Sequence, residues 1–172
     1  GLLGGAWRGF LDLHRLGLLE RIPRLAGVQA AGCAPFVKAV EEGTPFLETL
    51  KRPWPNPKTV AGGIADDIIF DGHTALPAVR RTNGAAVAVD DDEIMAGALT
   101  LAKDEGLLCE LTCAVVIAAL RHLPGAGPNT SVCCLVTGNG LKELAFFQSK
   151  SPEPRRVAPD LKSLRAALES RA

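Results

Sequence analysis

Apolar residues recur at spacings of three and four positions in several parts of the chain, a pattern typical of helices that bury one face. Other helices are indicated by their end signals: a proline in the first turn, an acidic or hydroxyl residue at the start, or a glycine after the last turn. Together these signals predict helices over residues 2–19, 34–42, 74–82, 91–105, 113–123 and a terminal stretch after Asp160.

Three short runs are almost entirely apolar and are bounded by turn residues, which is typical of buried strands. They cover residues 25–31, 85–89 and 131–136. Strands that alternate with helices predict an α/β fold in which a parallel sheet is flanked by helices. Such sheets bind ligands in the loops that follow the strands, and these loops begin here at Gly32, Asp90 and Thr137.

The stretches between these elements define the domain organisation. Residues 43–58 contain four prolines and predict an irregular loop, and the small residues of 59–67 predict a short helix or turn. Three prolines between residues 149 and 160 indicate a linker. We therefore predict one α/β domain over 1–148, followed by a linker and a terminal helix over 149–172.

Composition narrows the class of protein. The 172 residues are 47% hydrophobic and 22% charged, and 19 basic side chains balance 19 acidic ones, so neither nucleic acid nor a membrane is an expected partner. The longest apolar run, residues 114–120, is far shorter than the roughly 20 residues of a membrane span. Five cysteines without metal-ligand spacing predict no metal site and a reducing, cytoplasmic location.

Three features are candidates for chemistry. The glycines around the start of the first helix allow either a phosphate site or close helix packing. The Thr-Gly-Asn-Gly loop at 137–140 is either a ligand loop or an ordinary turn. Glu110 lies among leucines, where a carboxylate needs a partner, and either a structural ion pair or a site residue satisfies that need.

Six motifs, taken together, resemble the fold-type II pyridoxal-phosphate enzymes, which are similar to the tryptophan synthase β subunit, and among them most closely the threonine synthases. Their order and spacing agree over residues 1–143. They are Gly-Leu-Leu-Gly-Gly at 1–5, Pro-Arg-Leu-Ala-Gly-Val-Gln-Ala-Ala-Gly-Cys-Ala-Pro at 23–35, Thr-Val-Ala-Gly-Gly-Ile at 59–64, Asp-Asp-Asp-Glu-Ile at 90–94, Glu-Gly-Leu-Leu-Cys-Glu at 105–110, and Val-Thr-Gly-Asn-Gly-Leu-Lys at 136–142. The resemblance implies the C-terminal portion of such an enzyme.

The resemblance also implies a set of residues that bind pyridoxal 5'-phosphate. Gly1 would end the loop that holds the cofactor phosphate, Thr137 would hydrogen-bond the ring nitrogen, and Glu110 would line the pocket. A neutral hydroxyl at the ring nitrogen makes a weaker electron sink than a carboxylate does. The implied residues are Gly1, Leu2, Gly63, Ile64, Glu110, Thr137, Gly138 and Gly140.

The implied reaction converts O-phosphohomoserine, an amino-acid substrate, and water to threonine and phosphate. None of the seven lysines falls in the family's Schiff-base motif, so the resemblance implies that an N-terminal half, on a separate or preceding segment, supplies it. The chain alone is then expected to be inactive, and a homodimer is allowed. A serine or threonine dehydratase, a non-catalytic remnant that binds a ligand or partner, and an unrelated α/β binding domain are the alternatives.

Overall fold

The computed structural model describes residues 1–170, which contain two strands and eight α helices. The strands are β1 (Ala26–Ala30) and β2 (Ala85–Val89). The helices are α1 (Leu2–Arg15), α2 (Pro35–Glu41), α3 (Phe46–Thr49), α4 (Gly72–Arg81), α5 (Asp91–Asp104), α6 (Leu111–Ala118), α7 (Leu144–Lys150) and α8 (Leu161–Glu169). Short 3₁₀ turns cover Gly62–Ile64, Ala119–His122 and Gly140–Glu143. No helix in this part of the chain is long and apolar enough to cross a bilayer.

The two strands confirm the predicted α/β fold with a parallel sheet flanked by helices. They pair in parallel, with Ala26 opposite Ala85 and Ala30 opposite Val89. The connection between them contains three helices, as a parallel crossover requires. Val89 and Ala30 are fully buried, so the sheet contributes directly to the core.

The residues that precede the two strands are tightly packed against each other. Gly84 precedes β2, and a Cβ atom at this position would overlap the carbonyl oxygen of Leu25, which precedes β1. That same carbonyl accepts a hydrogen bond from the Ala85 amide at 3.1 Å, and the Leu25 amide donates to the Thr82 hydroxyl at 3.1 Å. Glycine at position 84 therefore lets the two strands begin side by side.

The predicted third strand over residues 131–136 is wrong. None of these residues belongs to a strand of the structure, and Val132, Leu135 and Val136 are all exposed. A run of β-branched and apolar residues fits a pleated surface but forms a strand only where a neighbouring strand accepts its backbone hydrogen bonds. The pairing near this region is instead a single antiparallel bridge between Cys109 and Asn139.

Most predicted helices are confirmed with shifted ends. The first ends at Arg15, four residues early, because the chain turns at Gly17, whose φ is +72°. The predicted helix over 113–123 begins at Leu111, with Glu110 at its N-cap position, and tightens after Ala118 into a 3₁₀ turn. The proline-rich loop contains the single-turn helix α3, and α7 was not predicted.

One hydrophobic core lies between α2 and α4. The start of α2 is fixed by Pro35 in the first turn and by the Gln29 side chain, whose oxygen accepts hydrogen bonds from the amides of Phe36 (2.8 Å) and Val37 (3.2 Å). This anchors α2 beside β1. The buried residues of this core are Phe36, Ala39, Ile69, Ala75, Leu76 and Val79.

The chain divides into two compact units, one over residues 1–142 and a smaller one from residue 143 onward. The smaller unit contains α7 and α8. Its terminal helix starts where predicted, since the Asp160 carboxylate accepts hydrogen bonds from the amide and the hydroxyl of Ser163, both at 2.8 Å. These bonds lower the pKa of Asp160, as expected for an N-cap carboxylate.

Helix α5 begins with the predicted capping box. The Asp90 side chain accepts a hydrogen bond from the Glu93 amide, and the Glu93 side chain accepts one from the Asp90 amide. Glu93 also contacts the imidazole of His122 at 2.8 Å and the guanidinium of Arg121 at 3.9 Å. The hydrogen bond with His122, followed by that from the Asp90 amide, lowers the pKa of Glu93 below its ordinary value. Glu93 thus joins the start of α5 to the turn after α6.

This pKa shift predicts a loss of stability in acid. A carboxylate whose pKa is lower in the folded state stabilises the fold above the pKa of the unfolded chain, and that contribution disappears as the pH falls through the folded value. We expect Glu93→Gln to flatten the acid side of a plot of urea midpoint against pH. Asp92→Asn, on the same helix turn, is the control. An unchanged acid slope in Glu93→Gln would contradict the prediction.

Candidate functional site

The start of α6 brings several polar groups together. Glu110 occupies the N-cap position, and its carbonyl accepts the amides of Cys113 (2.9 Å) and Ala114 (3.1 Å). The apolar run that follows is buried, which fixes the helix in the core and directs its first turn toward the loops. The first turn therefore presents the side chains of Glu110, Thr112 and Cys113 at one end of a buried helix.

The loop that contains Thr137 and Gly138 lies against this helix start. The Glu110 amide donates to the Gly138 carbonyl at 3.2 Å, and the Gly140 amide donates to the Leu108 carbonyl at 2.9 Å. The bridge between Cys109 and Asn139 lies between these two bonds. The loop is thus attached by its backbone to residues 108–110.

Glu110 has a specific partner. Its carboxylate forms an ion pair with the ammonium of Lys142 and is only 16% exposed. A Cβ atom at Gly138 would occupy the space of this carboxylate, so glycine is needed there for the pair to form. The ion pair meets the need for a partner that the sequence showed, and it places an ion-paired carboxylate beside the Thr137 loop.

Cys113 is a contact of this site that sequence reasoning missed. Its sulfur accepts a hydrogen bond from the Gly138 amide at 3.0 Å and lies 3.5 Å from the Thr137 hydroxyl and 3.7 Å from the Glu110 carboxylate. The signal that could have found it is its position three residues after Glu110, on the same helix face. Cys113 is only 5% exposed, so its side chain is buried beside these groups.

The Gly62–Ile64 turn packs on the same end of α6. The Gly63 amide donates to the Thr112 hydroxyl at 3.1 Å, and a Cβ at Gly63 would come within 2.8 Å of that oxygen. The residues before this turn contact Asp91, which was not among the predicted site residues. The Asp91 carboxylate accepts hydrogen bonds from the Thr59 hydroxyl at 2.5 Å and from the Val60 amide at 3.1 Å. The turn is therefore tied to the starts of both α5 and α6.

Six of the eight predicted site residues meet around the start of α6. These are Gly63, Ile64, Glu110, Thr137, Gly138 and Gly140. Gly1 and Leu2 lie at the exposed start of α1, whose neighbour is α4. There the side chains of Asp71 and Thr74 approach the backbone of Gly4 so closely that a Cβ would overlap them.

The site has groups that can form hydrogen bonds, and its nearby charges are paired. Thr137 is exposed and has a neutral hydroxyl that can donate or accept, and the Glu110–Lys142 ion pair lies on the same loop and helix start. In the same range no cluster of three His, Cys, Asp or Glu residues could hold a metal ion. The site therefore suits a ligand heteroatom that needs one neutral hydrogen-bond partner.

A family model described as pyridoxal-phosphate dependent enzyme matches residues 1–138. The chain belongs to the pyridoxal-phosphate dependent enzyme family.

Among curated proteins, the chain is similar to threonine synthases. It is 33% identical to that of Methanosarcina acetivorans over 100% of this chain and 42% of the relative, and 30% identical to that of Methanocaldococcus jannaschii over 98% and 42%. The threonine synthase of Mycobacterium tuberculosis is 34% identical over 86% of this chain and 40% of the relative. The chain thus spans about two fifths of the length of these relatives. The solved structure of a T.th. threonine deaminase aligns with 76% of this chain and 58% of its own, at 16% identity and a TM-score of 0.49.

The residues present fit the family's cofactor. A neutral hydroxyl, as at Thr137, can pair with a pyridine nitrogen. The absence of side chains at Gly63 and Gly138 lets the Thr112 hydroxyl and the Glu110 carboxylate lie against the backbone beside it. The first-turn amides of α1, a 14-residue helix, are suited to a phosphate group. The Asp71 carboxylate also lies at this helix start, 4.0 Å from the Gly1 nitrogen.

Proposed function

We propose that this chain forms part of the cofactor site of a threonine synthase, which converts O-phosphohomoserine and water to threonine and phosphate. The observation that carries the proposal is the convergence of Thr137, Glu110 and the Gly62–Ile64 turn at the start of α6. The similarity to three threonine synthases supports the choice of substrate. When bound, pyridoxal phosphate supplies an electron sink for a carbanion on the amino-acid substrate.

Each group of the site has a part in this proposal. Thr137 bonds the ring nitrogen through its hydroxyl, so the partner of that nitrogen is a neutral group. The Glu110–Lys142 pair keeps the net charge beside the ring at zero, because each charge cancels the other. Gly63 offers backbone without a side chain close to the ring, and the start of α1 binds the cofactor phosphate through its amides.

We further propose that the Schiff-base lysine comes from a segment outside these 172 residues. Lys142, which lies in the site, does not fall in the family's Schiff-base motif, and its ammonium is already paired with the Glu110 carboxylate. Borohydride reduction of the whole protein with pyridoxal phosphate, followed by peptide mass spectrometry, should label a lysine elsewhere. Labelling of Lys142 would contradict this assignment.

The function is tested by assaying the whole protein that contains this chain. Phosphate release from O-phosphohomoserine, dependent on added pyridoxal phosphate and matched by threonine formation, is the expected result. Formation of 2-oxo acid from threonine or serine without phosphate release would favour the dehydratase alternative. Binding of pyridoxal phosphate without either reaction would favour a binding role.

The role of Thr137 is tested by two substitutions. Thr137→Val keeps the shape but loses the hydroxyl, and we expect its affinity for pyridoxal phosphate to fall about fivefold, the effect of one hydrogen bond. Thr137→Ser keeps the hydroxyl and should stay close to wild type. The affinities are measured by titrating the absorbance of the cofactor. Equal affinities of the valine and serine variants would contradict the role.

A further inference from the structure

We propose that Cys113 is a positioning residue of the cofactor site, which holds the Thr137 hydroxyl and the Gly138 backbone in their ligand-binding arrangement. The inference rests on the proposed function, because the role it assigns to Cys113 is exercised through Thr137. It goes beyond that function because neither the family resemblance nor the comparisons assign anything to this cysteine.

The first step of the argument is the location of the thiol. Cys113 is the third residue of α6 and its side chain is buried, so the helix fixes the position of its sulfur. That sulfur lies between the helix start and the loop, 3.0 Å from the Gly138 amide nitrogen and 3.5 Å from the Thr137 hydroxyl oxygen. A side chain on a rigid element thus contacts two consecutive residues of a loop.

The second step is the number of partners available to Thr137. Within residues 1–170, the Cys113 thiol is the protein group that hydrogen-bonds the Thr137 hydroxyl. The residue itself is exposed, so neighbouring side chains do not otherwise enclose it. A hydroxyl has one proton and two lone pairs, and the sulfur uses one of these three positions. The thiol therefore fixes the side chain while leaving the other positions for a ligand.

The third step is the backbone of the loop. Gly138 is bound on both sides: its carbonyl accepts the Glu110 amide at 3.2 Å, and its amide donates to the Cys113 sulfur. Loss of the sulfur would leave the amide of a half-buried residue without this acceptor. Loop movement at Gly138 would displace Thr137, the adjacent residue. Both contacts of the thiol therefore act on the same hydroxyl.

The fourth step separates Cys113 from the other cysteines. Cys134 also has a free thiol, and its sulfur contacts the Val116 carbonyl at 3.9 Å, not the Thr137 loop. Cys113→Ala and Cys134→Ala each remove one thiol, but only the thiol of Cys113 contacts Thr137 and Gly138. Cys134→Ala is therefore the matched control for Cys113→Ala.

The experiment compares Cys113→Ala, Cys113→Ser and Cys134→Ala in the whole protein. Amide hydrogen exchange of the ligand-free protein, resolved at Gly138, reads the backbone contact. Titration with pyridoxal phosphate reads affinity and the absorbance maximum of the bound cofactor, which a general loss of stability would not shift. We expect Cys113→Ala to exchange at Gly138 about five times faster, to bind about fivefold more weakly and to shift the maximum. Cys113→Ser should restore most of each property, and Cys134→Ala should match wild type.

Three results would overturn the inference. Exchange at Gly138 that is equal in Cys113→Ala and Cys134→Ala would show that the thiol does not hold the loop. Faster exchange with unchanged affinity and absorbance would show that the loop is held but not for the cofactor. A wild-type protein that does not bind pyridoxal phosphate would overturn the proposed function as well. That outcome is distinguished from the first two because it is measured on the wild type alone, whereas they compare variants.

Discussion

Gly84→Ala is expected to lower the free energy of unfolding by about 3 kcal/mol, the upper range for forcing extra volume into a packed region. The added methyl group would overlap the Leu25 carbonyl oxygen, which is backbone and cannot rotate away. Relief requires one strand to move, and that movement breaks the hydrogen bond from the Ala85 amide to this carbonyl. Urea denaturation of the variant and the wild type measures the difference.

Gly127→Ala is the control for this substitution. A Cβ atom at Gly127 meets no other atom within 4 Å, so the change has only its general effect on chain entropy. The variant should therefore be as stable as wild type or slightly more stable. If Gly84→Ala unfolds at the same urea concentration as Gly127→Ala, the close approach of the two strand starts is not a constraint on the fold.

Gly138→Ala is expected to weaken the binding of pyridoxal phosphate about thirtyfold, which corresponds to about 2 kcal/mol. The new methyl group would take the place of the Glu110 carboxylate, and this flexible side chain can move away without unfolding the chain. Its movement separates the carboxylate from Lys142 and from the Cys113 thiol. We therefore expect a damaged site in a protein that is still folded, measured by cofactor titration beside a denaturation curve.

A double substitution separates this cause from others. Glu110→Ala removes the group that the new methyl would displace, so Gly138→Ala should cost less affinity in that background than in the wild type. Gly62→Ala, next to the site but in open space, should have no effect. Additive losses in the double variant would mean that the methyl group acts on something other than Glu110.

The sequence predicted best those elements that are specified by neighbouring residues. The capping box of Asp90 and Glu93, the cap at Asp160 and the strand at 85–89 all depend on local chemistry, and all three are present in the structure. The run at 131–136 has the composition of a strand as well. It forms none here because strand formation also requires a partner in space, and composition does not provide one.

The site residues also divide into those that the sequence identified and those that depend on distant contacts. Resemblance selected Glu110, Thr137 and Gly138, and the structure brings them together. Cys113 and Asp91 were given no site role, because their roles depend on which loops pack against α5 and α6. The spacing of Cys113 from Glu110 is a local signal, but its contacts with Thr137 and Gly138, more than twenty positions away, follow no local pattern.

The parallel pairing of β1 and β2 has a consequence for how the chain folds. Paired residues are 59 positions apart, as Ala26 and Ala85 show, so the sheet forms only after a long loop has closed. Helices α5 and α6, by contrast, are close in sequence and pack against each other. Early folding is therefore expected to join these two helices, and the sheet should be completed late, in the slow phase that distant contacts impose.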